Sequence, residues 1–76
     1  MEELLQLIVK NIVNHVDQIK IERLENDKNI VFNLIVEKDD IGKLIGKNGK
    51  TIRSIRKIVK SGAFNTKKQV LVEVVE

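Results

Sequence analysis

Leu4, Leu5, Ile8, Ile12 and Val16 recur at three- and four-residue intervals, the period of one face of an α-helix. Glu2 and Glu3 stand at its start, beside the positive end of the helix dipole. Ile19 and Ile21 then alternate with Lys20 and Glu22, which predicts a strand reaching about Leu24. Glu25-Asn26-Asp27-Lys28-Asn29 is polar turn material. From Ile30 to Val36 a second strand places Ile30, Phe32, Leu34 and Val36 on one face. Two strands joined by a short polar loop predict a hairpin. Asp39 or Asp40 is placed to cap a short helix, Ile41 to Ile45. A longer helix follows from about Lys50 to Ser61. Ile52, Ile55, Ile58 and Val59 gather on one side of it, Lys50, Arg53, Lys57 and Lys60 on the other. Gly62 is suited to end it. A loop from Ala63 to Lys68 leads to a last strand, Gln69 to Val75, with Val70, Val72 and Val74 on a shared face.

The order is helix-strand-strand-helix-helix-strand, an α+β arrangement. Three strands must share one sheet, because isolated strands do not persist in water. The last follows a helical crossover, so it is expected to lie parallel to a neighbour, with a right-handed connection. The helices then cover one face of a mixed three-stranded sheet. The opposite face would carry Val31, Ile35, Leu71 and Val75 among polar residues. That is either ordinary exposed apolar surface or a surface for a partner.

The chain has 76 residues, which makes one domain, 1–76. A chain this short buries only about 60% of its unfolded surface, leaving no room for a deep enzyme cleft. It has no cysteine, so disulfides and cysteine-based metal sites are excluded. The single histidine, His15, cannot build a histidine-rich site and is expected to sit idle at the surface or at the boundary of the core. No apolar run approaches the roughly 20 residues of a membrane span. The acidic Met1-Glu2-Glu3 start has the wrong charge for a signal peptide. These features describe a soluble cytoplasmic protein without membrane insertion.

Charge is divided unevenly. Residues 1–40 hold five Lys/Arg and nine Asp/Glu, whereas residues 41–72 hold nine Lys/Arg and no acid. One side of so small a fold is therefore strongly electropositive, a field that attracts polyanions. The plainer reading of such a run is a solvated basic face.

At the centre of the basic stretch lies Ile45-Gly46-Lys47-Asn48-Gly49-Lys50-Thr51-Ile52. A nucleotide-binding P-loop needs four residues between its glycines and then Gly-Lys-Ser/Thr. Gly42 and Gly46 have three between them, and Asn48 follows Lys47. A dinucleotide fingerprint needs G-x-G-x-x-G after a parallel strand, and that spacing also fails. The string Ile41-Gly42-Lys43-Leu44-Ile45-Gly46-Lys47-Asn48-Gly49-Lys50-Thr51-Ile52-Arg53-Ser54-Ile55 closely resembles the core of a KH domain, with Ile45, Gly46, Gly49, Ile52 and Ile55 in register. Two strands before the helix pair and one after resemble the type II form. Length, element order and the acidic amphipathic start look like the KhpA (YlqC) family of stand-alone bacterial KH proteins.

Physical chemistry points the same way. Glycine at both corners removes side chains that would hold a ribose-phosphate chain away. Amides at the start of the second helix favour anions, and Lys47 and Lys50 add mobile charge. A KH loop clamps about four nucleotides. The base groove would be aliphatic, built from Ile41, Leu44 or Ile45, and Ile52, with Arg53 at its rim. The RNA-binding set is therefore Ile41, Gly42, Ile45, Gly46, Lys47, Asn48, Gly49, Lys50, Ile52 and Arg53. Phe32 and Phe64 are the only aromatics, so broad stacking platforms are disfavoured, and Phe32 alternates with core residues. Each position also has a plain structural reading. Ile45 and Ile52 could be core with one edge facing the groove. Gly42 could permit close helix packing, Asn48 could serve the turn through its tolerance of left-handed backbone, and Lys43, Lys57, Lys60, Lys67 and Lys68 could merely shape the field.

The resemblance implies a non-enzymatic protein that binds single-stranded RNA, an RNA chaperone or post-transcriptional regulator. It further implies a homodimer or a complex with a KhpB (Jag/EloR)-type KH protein, and a link to cell elongation and peptidoglycan homeostasis. No cofactor, metal or catalytic residue is expected, since the basic half holds no carboxylate pair or metal-ligand cluster. The competing reading is a protein-interaction module for which RNA is secondary.

Overall fold

The computed structural model describes residues 2–62 and 66–76. Helix α1 spans Glu2–Lys10, strand β1 Lys20–Glu25, β2 Asn29–Ile35, helix α2 Ile41–Ile45, α3 Lys50–Gly62, and strand β3 Gln69–Val74. Single 3-10 turns occupy Val16–Gln18, Lys38–Asp40 and Lys47–Gly49. The α-β-β-α-α-β order and the bounds of α2 agree with the sequence pattern. The expected loop from Ala63 to Lys68 falls partly on 63–65, outside the described residues, as does Phe64.

β1 and β2 pair antiparallel, from Lys20↔Ile35 to Glu25↔Ile30. Their turn is fastened by Asn26, whose Oδ1 accepts the amides of Lys28 and Asn29 at 2.9 and 2.7 Å. β3 pairs parallel with β2, from Asn29↔Gln69 to Leu34↔Val74, giving the strand order β1-β2-β3. The parallel pairing requires a crossover, and α2 and α3 supply it. Alternation then sorts the strands: Ile30, Phe32, Leu34, Val70 and Val72 are buried beneath the helices. Leu5 and Val9 of α1, Leu44 of α2, and Ile52, Ile55 and Val59 of α3 close the core over them. Each such side chain contributes roughly 1.5–3 kcal/mol on burial. Phe32 is fully buried, as its position in the alternation predicts.

Two expectations are corrected here. α1 stops at Lys10 instead of continuing to Val16, which is 42% exposed in its own 3-10 turn. Asn11 turns its side chain back onto the Leu7 carbonyl, and the amides of Asn11 and Ile12 tighten to bonds three residues back. The Val13 amide still reaches the Val9 carbonyl, and those of Asn14 and His15 then leave, donating to the Asp40 carboxylate at 3.1 and 3.0 Å. Val13, absent from the helical stripe, is buried as a result. Ile58, assigned to the apolar side of α3, is 46% exposed.

The outer sheet face carries Leu24, Val31 and Leu71 in one cross-strand row, with Ile35 and Val75 further along. Leu24, which the sequence pattern did not single out, is 56% exposed.

Candidate nucleic-acid interface

The site is built where α2 hands over to α3. α2 ends at Gly46, whose amide donates to the Gly42 carbonyl at 2.9 Å. Gly46 sits at φ 75, ψ 171, and a Cβ there would lie 2.2 Å from Thr51 Oγ1 and 2.8 Å from the Thr51 amide nitrogen. Only glycine fits. Asn48 is left-handed at φ 57, ψ 25, the one non-glycine residue with positive φ among those described. Asparagine tolerates that region better than most residues, as its place in the motif suggested. Gly49 also has φ 75, but a Cβ there would meet nothing closer than Arg53 at 4.0 Å. Backbone angle, not space, demands glycine at this corner.

The first bond of the 3-10 turn runs from the Gly49 amide to the Gly46 carbonyl, and the Lys50 amide returns to Lys47. The amides of Lys47 and Asn48 precede both bonds and are left at the tip. No acidic residue stands in the first turn of α3 to offset the positive end of its dipole.

Most of the expected contact residues converge on this turn. Lys47, Asn48 and Lys50 are exposed, and Ile41 and Ile45 are half-buried. Ile52 is 7% exposed and mainly core and Leu44 is wholly buried, so the aliphatic positions open to a ligand are Ile41 and, of the pair Leu44 and Ile45, Ile45. Gly42 is exposed, and a Cβ added to it would have nothing within 4 Å. Close helix packing therefore does not explain it. Arg53 is exposed, yet its Nε donates to the Gly49 carbonyl at 3.3 Å and a terminal N–H to the Asn48 carbonyl.

The sequence reading missed Arg56 and the edge of β3. The Gln69 amide donates to the Lys28 carbonyl and the Val75 amide to the Leu34 carbonyl. In a parallel ladder this turns the backbone groups of the intervening Val70, Val72 and Val74 toward the free edge. Arg56 Nε donates to the Val72 carbonyl there at 3.0 Å, with a terminal nitrogen 3.9 Å from Glu73. A groove of about 310 Å³ runs along this edge, lined by Arg56, Lys60, Val70, Leu71, Val72 and Glu73. A smaller hollow of about 220 Å³ lies between Lys50, Arg53, Ser54 and Lys57. The helical spacing could show that Arg56 lies on the flank of α3. It could not show which edge of β3 stays open.

Among the described residues, Lys47, Lys50, Lys57 and Lys60 have no carboxylate partner. Lys68 is different: it pairs with Glu25, and this cation with Arg23 holds the Glu25 carboxyl below its ordinary value. Away from the turn, His15, Glu37 and Asp40 bring one ligand atom each within 4.8 Å of one another. Asp40 is 1% exposed, and both its oxygens already accept bonds from Asn14 and His15. His15 and Asp40 form a hydrogen-bonded latch with Glu37 3.8 Å from the ring, and His15 is not idle. Asp40 also makes no side-chain cap to α2; Glu37 instead caps the preceding 3-10 turn, accepting the Asp39 amide.

A mixed three-stranded sheet, helices on one face in α-β-β-α-α-β order, and a Gly-x-x-Gly turn between consecutive helices define a KH domain of type II. Residues 2–74 match the family model described as "KhpA/KhpB, KH domain", and the chain belongs to that family. Similar full-length relatives include "RNA-binding protein KhpA" of Chlamydia pneumoniae, 38% identical over all of this chain and 97% of the relative. The protein of the same name from Clostridium acetobutylicum is 33% identical, over 99% of this chain and all of the relative. That of Borreliella burgdorferi is 34% identical, over 97% and 90%. Among the described residues no helix is long and apolar enough to cross a membrane.

Proposed function

We propose that this chain binds single-stranded RNA, laying the sugar-phosphate backbone across Gly46–Gly49 and directing bases past Ile41 and Ile45 toward the free edge of β3. The observation that carries this is the turn itself. Two Cβ-less corners flank two amides, those of Lys47 and Asn48, that make no backbone hydrogen bond among the described residues, and lysines without carboxylate partners stand on either side. Gly42, Lys47, Asn48 and Lys50 form the phosphate side, and Ile41, Ile45 and the exposed fringe of Ile52 the aliphatic side. The names of the relatives support the choice of RNA as ligand. A duplex offers no unpaired base edge to such a groove, so single strands should bind more tightly.

Family membership is also the support for a role as an RNA chaperone or post-transcriptional regulator. The proposed association with a KhpB-type protein and the link to cell elongation and peptidoglycan homeostasis rest on the same resemblance. We take the protein to act by binding rather than catalysis, in the cytoplasm. The deciding variant carries Lys47→Asp and Asn48→Asp together. Both positions are exposed, and aspartate also tolerates the left-handed backbone at position 48. Stability should change by no more than about 1 kcal/mol, while two carboxylates in the phosphate path remove most RNA affinity. A folded double variant that binds like the parent would place the RNA site elsewhere.

A second reading, a protein-interaction module or homodimer, draws on the row Leu24, Val31 and Leu71 on the outer sheet face. Sedimentation of Leu24→Lys beside the parent tests it: a concentration-dependent mass that the substitution abolishes supports association through this face.

A further inference from the structure

We infer that Arg53 is a positioning residue, which holds the Gly46–Gly49 turn in its binding shape and does not itself take a phosphate. This rests on the reading of that turn as the backbone-binding element. A guanidinium presents a planar fork of donors. In this chain the fork meets two consecutive carbonyls, Gly49 through Nε at 3.3 Å and Asn48 through a terminal nitrogen. Those are two of the turn's three residues with positive φ, Asn48 at φ 57 and Gly49 at φ 75, the third being Gly46. For the non-glycine Asn48 that conformation is costly and persists where the surroundings over-determine it; Gly49 takes it freely, and there the contact fixes which of its open conformations is used. Arg53 supplies that determination from the first turns of α3. Drawing the two carbonyls to the helix flank also keeps their lone pairs away from an anion and leaves the Lys47 and Asn48 amides facing out.

Arg56 repeats the device one turn on, where its Nε holds the Val72 carbonyl. The two arginines of α3 are thus both engaged with backbone oxygens. The lysines around them, Lys47, Lys50, Lys57 and Lys60, are not engaged with any carboxylate among the described residues. Along the turn and α3 the cations divide by chemistry: Arg53 and Arg56, whose rigid fork suits fixed acceptors, hold the frame, and the flexible point-charge lysines meet the phosphates.

The test compares Arg53→Lys, Arg53→Gln and Lys50→Gln in the full chain, with a mixed pool of short single-stranded RNA as probe. Thermal melting first establishes that each is folded. Both Arg53 variants should bind about tenfold more weakly, the loss of roughly one charge-assisted hydrogen bond. Lysine should not rescue, because the charge is kept and the fork is lost. The salt dependence should keep the parent's slope, and the amide resonances of Lys47–Lys50 should shift in the RNA-free variants. Lys50→Gln should behave oppositely, lowering the log-log salt slope by about 0.7, one phosphate contact, with the other turn amides unmoved. Parent-like binding by Arg53→Lys overturns the inference. So does a reduced salt slope in Arg53→Gln with turn amides unmoved, which would make Arg53 a phosphate contact. Should the parent bind no RNA, the RNA reading fails by itself. The amide spectra then still decide whether Arg53 holds the turn, and unmoved resonances reject it.

Discussion

The ring Nδ1 of His15 lies 2.9 Å from Oδ2 of the buried Asp40, across 25 residues of sequence. The same carboxylate takes the backbone amides of Asn14 and His15. One side chain therefore ends the connector after α1 and ties it to the residue that precedes α2, the helix leading into the glycine turn. The contact also sets the charge of both partners. Hydrogen bonding to Asp40, reinforced by the charges of Asp40, Glu37 and Asp39, raises the His15 pKa above 6.5 against a smaller desolvation effect. Burial pushes the Asp40 carboxyl up, and the two amides with the His15 ring outweigh it, leaving the pKa below 3.8.

Stability should follow these shifts. A raised histidine pKa contributes stability that is fully present below pH 6.5 and lost as pH rises through the folded value above it. A lowered carboxylate pKa contributes stability present above its unfolded value and lost as pH falls through the folded one. Asp40 therefore weakens the fold below pH 3.8, and Glu25, lowered mainly by Lys68 and then Arg23, below pH 4.5. Melting curves of the parent and His15→Asn across pH should differ most between the carboxylate range and pH 6.5, then converge in alkali. A difference constant with pH would mean that the ring's charge plays no part in the latch.

The glycines should separate into three grades. Gly46→Ala forces a Cβ onto Thr51 and a left-handed alanine, and more than about 2 kcal/mol of destabilisation is expected. Gly49→Ala meets only the backbone penalty, about 1–2 kcal/mol. Gly42→Ala has open space and should be neutral or gain up to about 1 kcal/mol from helix propensity, while its methyl group intrudes on the RNA path. Chemical denaturation ranks the three. Undiminished RNA affinity in Gly42→Ala would show that the strand does not pass Gly42.

RNA binding should be strongly electrostatic. Contact with three or four single-strand phosphates gives a log-log salt slope of about −2 to −3. Titrations at several salt concentrations measure it directly, and a flat response would contradict the lysine arrangement around the turn.

The helix faces predict a sharp contrast in stability. Leu44 is completely buried and Ile58 is 46% exposed. Leu44→Ala should cost about 2–5 kcal/mol and Ile58→Ala within about 0.5 kcal/mol. A large loss at Ile58 would return it to the core side of α3.

Sequence alone determined the kinds of element, their order and the motif. Alternation and helical period are local consequences of burying one face, so Ile30, Phe32 and Leu34 or Ile52, Ile55 and Val59 announce themselves without knowledge of their partners. The glycine turn was legible for the same reason, since φ is a property of the residue itself. Tertiary structure decided what depends on residues far apart in the chain. Asp40 takes the amides of Asn14 and His15 from 26 and 25 residues away and so keeps them out of any helix, which the stripe from Leu4 to Val16 could not reveal. Lys68, read as part of the basic field, meets Glu25 across the sheet. Arg53 looked like a free cation on a helical wheel and Arg56 did not stand out at all, and only the packing of α3 against the turn and against β3 shows which carbonyls they hold. Partner choice over long separations is set by the packing of the whole core, and no periodicity within a single element encodes it.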